Sequence, residues 1–347
     1  MYNPDLSERE KSILRYVIHQ FILTANPVGS RNISKKYDVG LSPATIRNIM
    51  SDLEDSGFLG HPHTSAGRVP TDHGYRFYVD SLMGIPKLGK ADKKFAENGV
   101  DSQKSDDLVK ATSSILSKIT NELACITYPR ISNSVLEKIQ IVRLSSSRIL
   151  VVVTILPGIV KTITLELQIS VQQNKLNAVQ RILNQRLSGL RFSDIRNSIG
   201  DRVRNLGAGE LRPIVRVFLD SADKIFNDDK INRSVISGAE NILAQPEFED
   251  IEQFQSIIEM VEDKDVIVHV MDKRVKEDSD EITITIGSEN MEEKFSNYSL
   301  ITKEYNVGEA SGTIGIIGPK RMEYSKVVAI VDYIAKMLSE FLKNPNN

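Results

Sequence analysis

SPATIRNIMSDLEDSGFLGHPHTSAGRVPTDHGYRFYVD, residues 42–80, carries the clearest structural signals in this chain. Ser42 is a favourable N-cap, and Pro43 fits the first helical position, where its missing N–H costs nothing. Apolar residues then recur at helical spacing, and Gly57 suits the left-handed position that ends a helix. Short apolar segments flank the loop 60–67. The stretch therefore predicts an α-helix followed by a small β-ribbon.

Two further helices are predicted immediately before this stretch. Ser7 and Glu10 have the spacing of a capping box, and an apolar stripe with helical period follows them. Ser30 can cap a short second helix, which ends before a tight turn at 38–41. Three helices with a short second turn and a following ribbon predict a winged helix-turn-helix over residues 1–83.

The polar face of the third helix has the composition of a DNA-recognition surface. Arg47 can pair with guanine and Asn48 with adenine in the major groove, while small neighbours allow close approach. Hydroxyl groups reach bases or phosphates, a helix N-terminus binds phosphate, and a wing arginine suits the minor groove. The candidate DNA-binding residues are Ser30, Arg31, Lys35, Lys36, Ser42, Thr45, Arg47, Asn48, Ser51, His61, His63 and Arg68.

Charge limits how this surface can bind. Residues 1–83 hold nine Lys and Arg against nine Asp and Glu, and the whole chain has a formal net charge of -2. Affinity for nucleic acid must therefore come from local basic charge, within 31–47 and 68–76. A polar face opposite an apolar stripe also fits a small helical bundle with a solvated surface, so this alternative stays open.

Beyond residue 83 the patterns alternate between helix and strand. The segment 84–107 is rich in Gly, Lys, Asp and Ser, which predicts a linker. The predicted elements after it are a helix over 108–127, strands over 138–144, 148–156 and 159–167, helices within 174–245 and 247–274, strands over 282–286, 299–305 and 313–317, and a helix over 323–342.

One sheet domain with an insertion is the arrangement we expect for these elements. The sheet domain would comprise 108–168 and 246–347, and the mainly helical segment 169–245 would be inserted in it as a dimerisation domain. The uncharged, β-branched run 149–156 would then pair with strands after residue 280, a distant and therefore slow pairing. Such a run would stay exposed during folding and favour aggregation.

Neither catalytic nor metal-binding chemistry is expected. Cys125 is the single cysteine, so a disulfide framework is impossible within the chain, and His61 with His63 lacks partners for a four-ligand zinc site. We interpret Cys125 as a buried hydrophobe in a helix. No phosphate-binding glycine motif or nucleophile elbow occurs. Without a secretory signal or a long apolar run, the chain is expected to be cytoplasmic, with no membrane partner.

The sequence resembles the HrcA family of heat-inducible transcription repressors from end to end. The resemblance rests on residues 42–80, with TSAGRVPT at 64–71, and on the segments at 26–42, 244–250 (AQPEFED) and 312–335. It implies an α+β multidomain chain with a winged-helix domain, a GAF-like mixed α/β domain and a dimerising domain inserted in it. It further implies a homodimer that represses chaperone operons through an inverted-repeat DNA operator, with the GroEL chaperonin modulating its activity and no cofactor.

Two other classes of function remain open. GAF-like folds often bind small molecules, so the chain could be a winged-helix regulator whose sheet domain senses a small molecule. It could also be an RNA-binding or purely architectural module, which a strong preference for duplex over single strands would exclude.

Overall fold

The structure is a computed structural model of a mixed α/β chain. It describes residues 6–62, 67–101, 105–131, 134–155, 159–167, 171–203, 211–226, 234–248, 251–274 and 281–343. The chain divides into two compact units. The first comprises Met1–Ile126, Val235–Lys303 and Ile314–Ala335, and the second comprises Thr127–Ser234, Glu304–Thr313 and Lys336–Asn347.

Helices and a short antiparallel ribbon open the first unit, and we call them the N-terminal module. Its elements are α1 (Glu8–Thr24), α2 (Ser30–Lys36), α3 (Pro43–Asp55), β1 (Leu59–Gly60), β2 (Val69–Pro70), α4 (Asp72–Phe77) and a π-helical turn (Tyr78–Leu82). The predicted capping box is confirmed, because the Ser7 and Glu10 side chains each accept the other's backbone N–H. Gly57 has a φ of +78°, as predicted for the end of α3.

The start of α2 differs from the prediction. Gly29 occupies the N-cap position, and Ser30 is the first helical residue rather than the cap. An antiparallel bridge between Val28 and Arg68 holds the chain extended up to Gly29, so the helix begins directly after it. The Gly29 carbonyl then accepts the N–H of Asn32.

The segment predicted as a linker contains a helix. The helix α5 (Lys90–Asp101) lies within 84–107 and packs against α6 (Ser105–Thr120). Lys93 Nζ lies 5.4 Å from the ring centroid of Tyr333, whose hydroxyl donates to Glu97. Only half of the residues of α5 are strong helix formers and its apolar positions are few, so composition alone resembled that of a linker.

Most of a five-stranded sheet belongs to the first unit. Its strands are β3 (Leu123–Thr127), β7 (Ser234–Ser237), β8 (Thr283–Ile286), β9 (Tyr298–Val307) and β10 (Ala310–Pro319), in the order β7-β3-β10-β9-β8. The prediction of a helix over 108–127 is wrong after Thr120. Every residue of β3 is buried, so its sequence lacks the alternation that marks a strand. Cys125 is a buried free cysteine, as expected, but it lies in this strand.

Helices complete the first unit around an apolar core. They are α11 (Ala239–Leu243), α12 (Ile251–Glu262), α13 (Lys264–Arg274) and, as far as Ala335, α14 (Tyr324–Lys343). Next to this core lies the acid Glu122, only 5% exposed, whose Oε2 lacks a hydrogen-bond partner among the described residues. Burial raises the pKa of Glu122 well above its usual value, although the charge of nearby Arg321 opposes this shift.

The second unit contains a separate three-stranded sheet. Within the described residues the strands β4 (Leu136–Arg143), β5 (Arg148–Ile155) and β6 (Ile159–Glu166) pair only with each other, in that order. One face of this sheet packs against α7 (Gln173–Leu187), α8 (Phe192–Val203), α9 (Arg212–Asp220) and α10 (Ala222–Phe226). The expectation of one sheet joining these strands with those after residue 280 is therefore wrong.

The pairing of β4, β5 and β6 with one another also means that slow folding of the run 149–156 is not expected. The strand β5 covers the run 149–156 as far as Ile155, while Leu156 lies outside the described residues, and it lies between neighbours that adjoin it in sequence. Its alternate residues, such as Val151 and Val153, are buried under helices that follow shortly along the chain. Because these contacts are local, loop-closure entropy gives no reason for prolonged exposure of the run.

Candidate nucleic-acid interface

The polar face of α3, which the sequence predicts to contact DNA, is exposed to solvent. Arg47 and Asn48 are exposed, while Ile46, Met50 and Leu53 on the opposite face are buried. Pro43 and Ala44 are exposed as well, so the start of the helix carries small side chains that would not obstruct close approach.

The first turn of α3 is held by its own hydroxyl groups. Ser42 Oγ accepts the backbone N–H of Thr45 at 3.1 Å, and the two side-chain oxygens lie 2.9 Å apart. Both residues are exposed and Ser51 is half-buried. Ser42 and Thr45 therefore define where the helix begins, and any contact they make with DNA would be added to that role.

The helix α2 supplies the basic side chains beside α3. Arg31, Lys35 and Lys36 are exposed, and Ser30 is half-buried. The end of α2 is fixed by Tyr37, whose ring stacks on Tyr16 of α1 with centroids 4.2 Å apart. Burial raises the pKa of the Tyr37 phenol, with a smaller contribution from Tyr16.

A charged cluster joins the end of α3 to the ribbon. Glu54 Oε2 lies 2.7 Å from Arg68 Nε, and its Oε1 lies 2.9 Å from His61 Nδ1. The contact with Arg68 is an ion pair rather than an aligned hydrogen bond, because the N–H does not point at the oxygen. Arg68 also lies within hydrogen-bond distance of His61, at 3.3 Å. His63 lies outside the described residues.

This cluster was not predicted from the sequence. Glu54 entered only the charge balance, and its position directly before Asp55, the last residue of α3, gave no sign of its partners. The base of the ribbon also packs closely against the segment before α2. At Gly67 a side chain would collide with the backbone of Pro27. Arg68 is only 19% exposed at its side chain, and its charge is engaged within the module.

The described residues offer neither a metal site nor a membrane-spanning helix. The described ranges contain no group of three His, Cys, Asp or Glu side chains arranged to hold a metal ion. In the same part of the chain, every helix is too short or too polar to cross a bilayer.

Comparison with known proteins identifies the family. A family model described as the HrcA protein C terminal domain matches residues 106–328. The chain belongs to the HrcA family. The heat-inducible transcription repressor HrcA of Chlorobium phaeobacteroides (strain BS1) is 41% identical over 97% of this chain and 99% of its own length. That of Prosthecochloris aestuarii is 40% identical over 99% of each chain.

These HrcA relatives are transcription repressors and not enzymes, in agreement with the sequence resemblance. A crystal structure described as a hypothetical protein covers 98% of this chain and 99% of its own, with a TM-score of 0.64 and 23% identity. At that identity the likeness concerns the fold alone.

Proposed function

We propose that this HrcA-family chain is a repressor that binds a double-stranded DNA operator with the exposed face of α3. The N-terminal module is then a winged helix-turn-helix, in which α3 enters the major groove and the ribbon β1–β2 is the wing. The observation that carries the proposal is the exposure of Arg47 and Asn48 on one face, above a buried apolar face. Arg31, Lys35 and Lys36 on α2 would contact phosphates.

We infer that the repressor works as a homodimer on an inverted repeat. The N-terminal module is close to neutral, so one copy should bind DNA weakly, and two-fold pairing lets two copies of α3 engage two half-sites. We assign the dimer contacts mainly to 169–245. The sheet packed on these helices exposes apolar side chains at Val142 and Val160 on its opposite face, which offers a further candidate surface in the same unit.

The family resemblance supplies the remaining features of the proposal. The operator controls chaperone genes, the GroEL chaperonin modulates the active fraction, and a DNA target places the protein in the bacterial cytoplasm. The five-stranded sheet with its helices is the GAF-like domain in this proposal.

A footprint on the regions upstream of the organism's own chaperone genes tests the proposal. We expect protection of an inverted repeat, with both half-sites occupied over the same range of protein concentration. A DNA fragment that carries one half-site is the matched control, and it should bind much more weakly. Equal affinity for single-stranded and duplex DNA would contradict the proposal.

An open cleft in the first unit is the basis for a second candidate function, the sensing of a small molecule. It has a volume of about 340 Å³ and is lined by Ser114, Ser117, Lys118, Ser237 and Glu240 among others. This size lies within the range of small-ligand sites. A metabolite that raises the melting temperature and changes operator affinity would support this function, because a ligand that binds the native state stabilises it.

A further inference from the structure

Charged side chains attach the N-terminal module to the sheet within the first unit. Asp72 and Arg76 lie four residues apart on α4, so they project from the same side of the helix. Asp72 Oδ1 accepts a hydrogen bond from Lys320 Nζ at 2.7 Å. Asp72 Oδ2 accepts the backbone N–H of Ser288 at 2.9 Å.

Arg76 forms the second half of this junction. Its Nε donates to Glu289 Oε1 at 2.8 Å, and its Nη2 donates to the carbonyl of Ile284 at 2.7 Å. Glu289 Oε2 also accepts the backbone N–H of Ile286, and this hydrogen bond holds the carboxylate in position for Arg76. The hydrogen bonds from Arg76 to Glu289 raise the pKa of the guanidinium.

The backbone at this junction is shaped to receive Asp72. Gly287 has a φ of +54°, and a side chain at this position would collide with the Asp72 carboxylate. Burial raises the pKa of Asp72, but hydrogen bonds from Lys320 and Ser288 outweigh it, so the pKa lies below its usual value. Between the two charged pairs, Tyr75 is buried with its ring centroid 6.0 Å from that of Tyr324.

Arg321, the neighbour of Lys320, attaches a second element of the module. Its Nη1 donates to the carbonyl of Ile22 near the end of α1, at 3.2 Å. The guanidinium is itself held by Glu247 and Gln245. Two consecutive residues thus hold α1 and α4 at separate points, which restrains rotation of the module as well as its departure.

From this arrangement we propose that Asp72 and Arg76 are positioning residues for DNA recognition. Through Lys320 and Glu289 they fix the direction in which α3 faces, and so they set the spacing between half-sites that the dimer accepts. This inference rests on the proposed function. A module that moved freely on its tether would reach half-sites at several spacings, but only a fraction of its orientations would fit any one of them.

Charge reversals on either side of the junction test the inference. We would measure affinities of the wild type, Asp72→Lys, Lys320→Asp and the double variant for inverted repeats whose spacer is shortened or lengthened by single base pairs. Each single reversal should weaken binding at the preferred spacing by about tenfold and flatten the dependence on spacing. Both should leave affinity for a single half-site almost unchanged, and the double variant should restore part of the preference.

The design separates positioning from simple electrostatics. The two single reversals change net charge in opposite directions, so a loss that they share cannot arise from attraction to phosphate. Lys294→Asp, an exposed lysine in the same unit, is the matched control and should keep the wild-type spacing preference. If Asp72→Lys does not fold, as judged by its melting curve, the dependence of affinity on spacing is measured in Lys320→Asp and Lys320→Met instead.

Unchanged spacing preference in Lys320→Asp would overturn the inference. Tighter binding in both single variants would overturn it as well, because the clamped orientation would then oppose DNA binding. A wild type that binds one half-site as tightly as the inverted repeat would instead refute the proposed dimeric function, and with it the basis for this inference.

Discussion

Replacing Arg47 with alanine removes the longest hydrogen-bond donor from the exposed face of α3. Within the described residues Arg47 makes no hydrogen bond or ion pair, so its truncation breaks no contact inside the chain. An exposed substitution of this kind changes the free energy of unfolding by about 0.5 kcal/mol or less, and alanine is a good helix former. Loss of a bidentate contact with guanine should cost about 1–3 kcal/mol of binding free energy.

Fluorescence anisotropy on operators with each base pair varied in turn would measure this effect. Wild type should discriminate against changes at one position per half-site, and Arg47→Ala should bind about 5- to 150-fold more weakly while losing discrimination at that position. Arg9→Ala, an exposed arginine on α1, is the matched control and should retain both properties. If Arg47→Ala keeps its affinity and its base preference, α3 is not the recognition helix.

Three other outcomes are expected. Lys35→Ala should weaken binding to all DNA sequences alike and reduce the slope of log affinity against log salt by about 1, which a salt titration would show. Light scattering should give a particle of twice the 38.8 kDa chain mass, and a monomer that protects both half-sites would contradict the dimer. Glu122→Gln should raise the melting temperature more at pH 8 than at pH 5. The raised pKa of the buried acid means that wild-type stability falls as pH rises from the unfolded-state pKa through the folded-state pKa, and a gain independent of pH would refute this reasoning.

Local signals predicted the N-terminal module well. The capping box, the N-cap at Ser42 and the positive φ at Gly57 each depend on residues a few positions apart, and the structure confirms them. The exposed face of α3 followed from the same helical period. Its role in DNA binding stays a prediction, since it concerns a molecule outside the chain.

Contacts between distant residues were beyond such signals. Arg76 and Glu289 are 213 positions apart, and neither carries a mark of its partner. The prediction that the strands after residue 83 form one sheet was wrong for the same reason. Alternation shows that a strand has one buried face, but it does not show which layer covers that face. The prediction of a helix at β3 was wrong for a different reason. A strand buried on both faces has the uniform apolar composition of a buried helix.

Lys320 and Arg321 are translated much later than the N-terminal module that they hold. The N-terminal module, as far as Leu82, leaves the ribosome well before the side chains that hold it, because Lys320 lies 248 positions after Asp72 and Arg321 lies 299 positions after Ile22. A nascent or prematurely terminated chain can therefore expose α3 without its anchor. Competence to read an operator with a defined orientation arises only after Lys320 and Arg321 have been synthesised, so chains that stop before them make poor competitors for the operator.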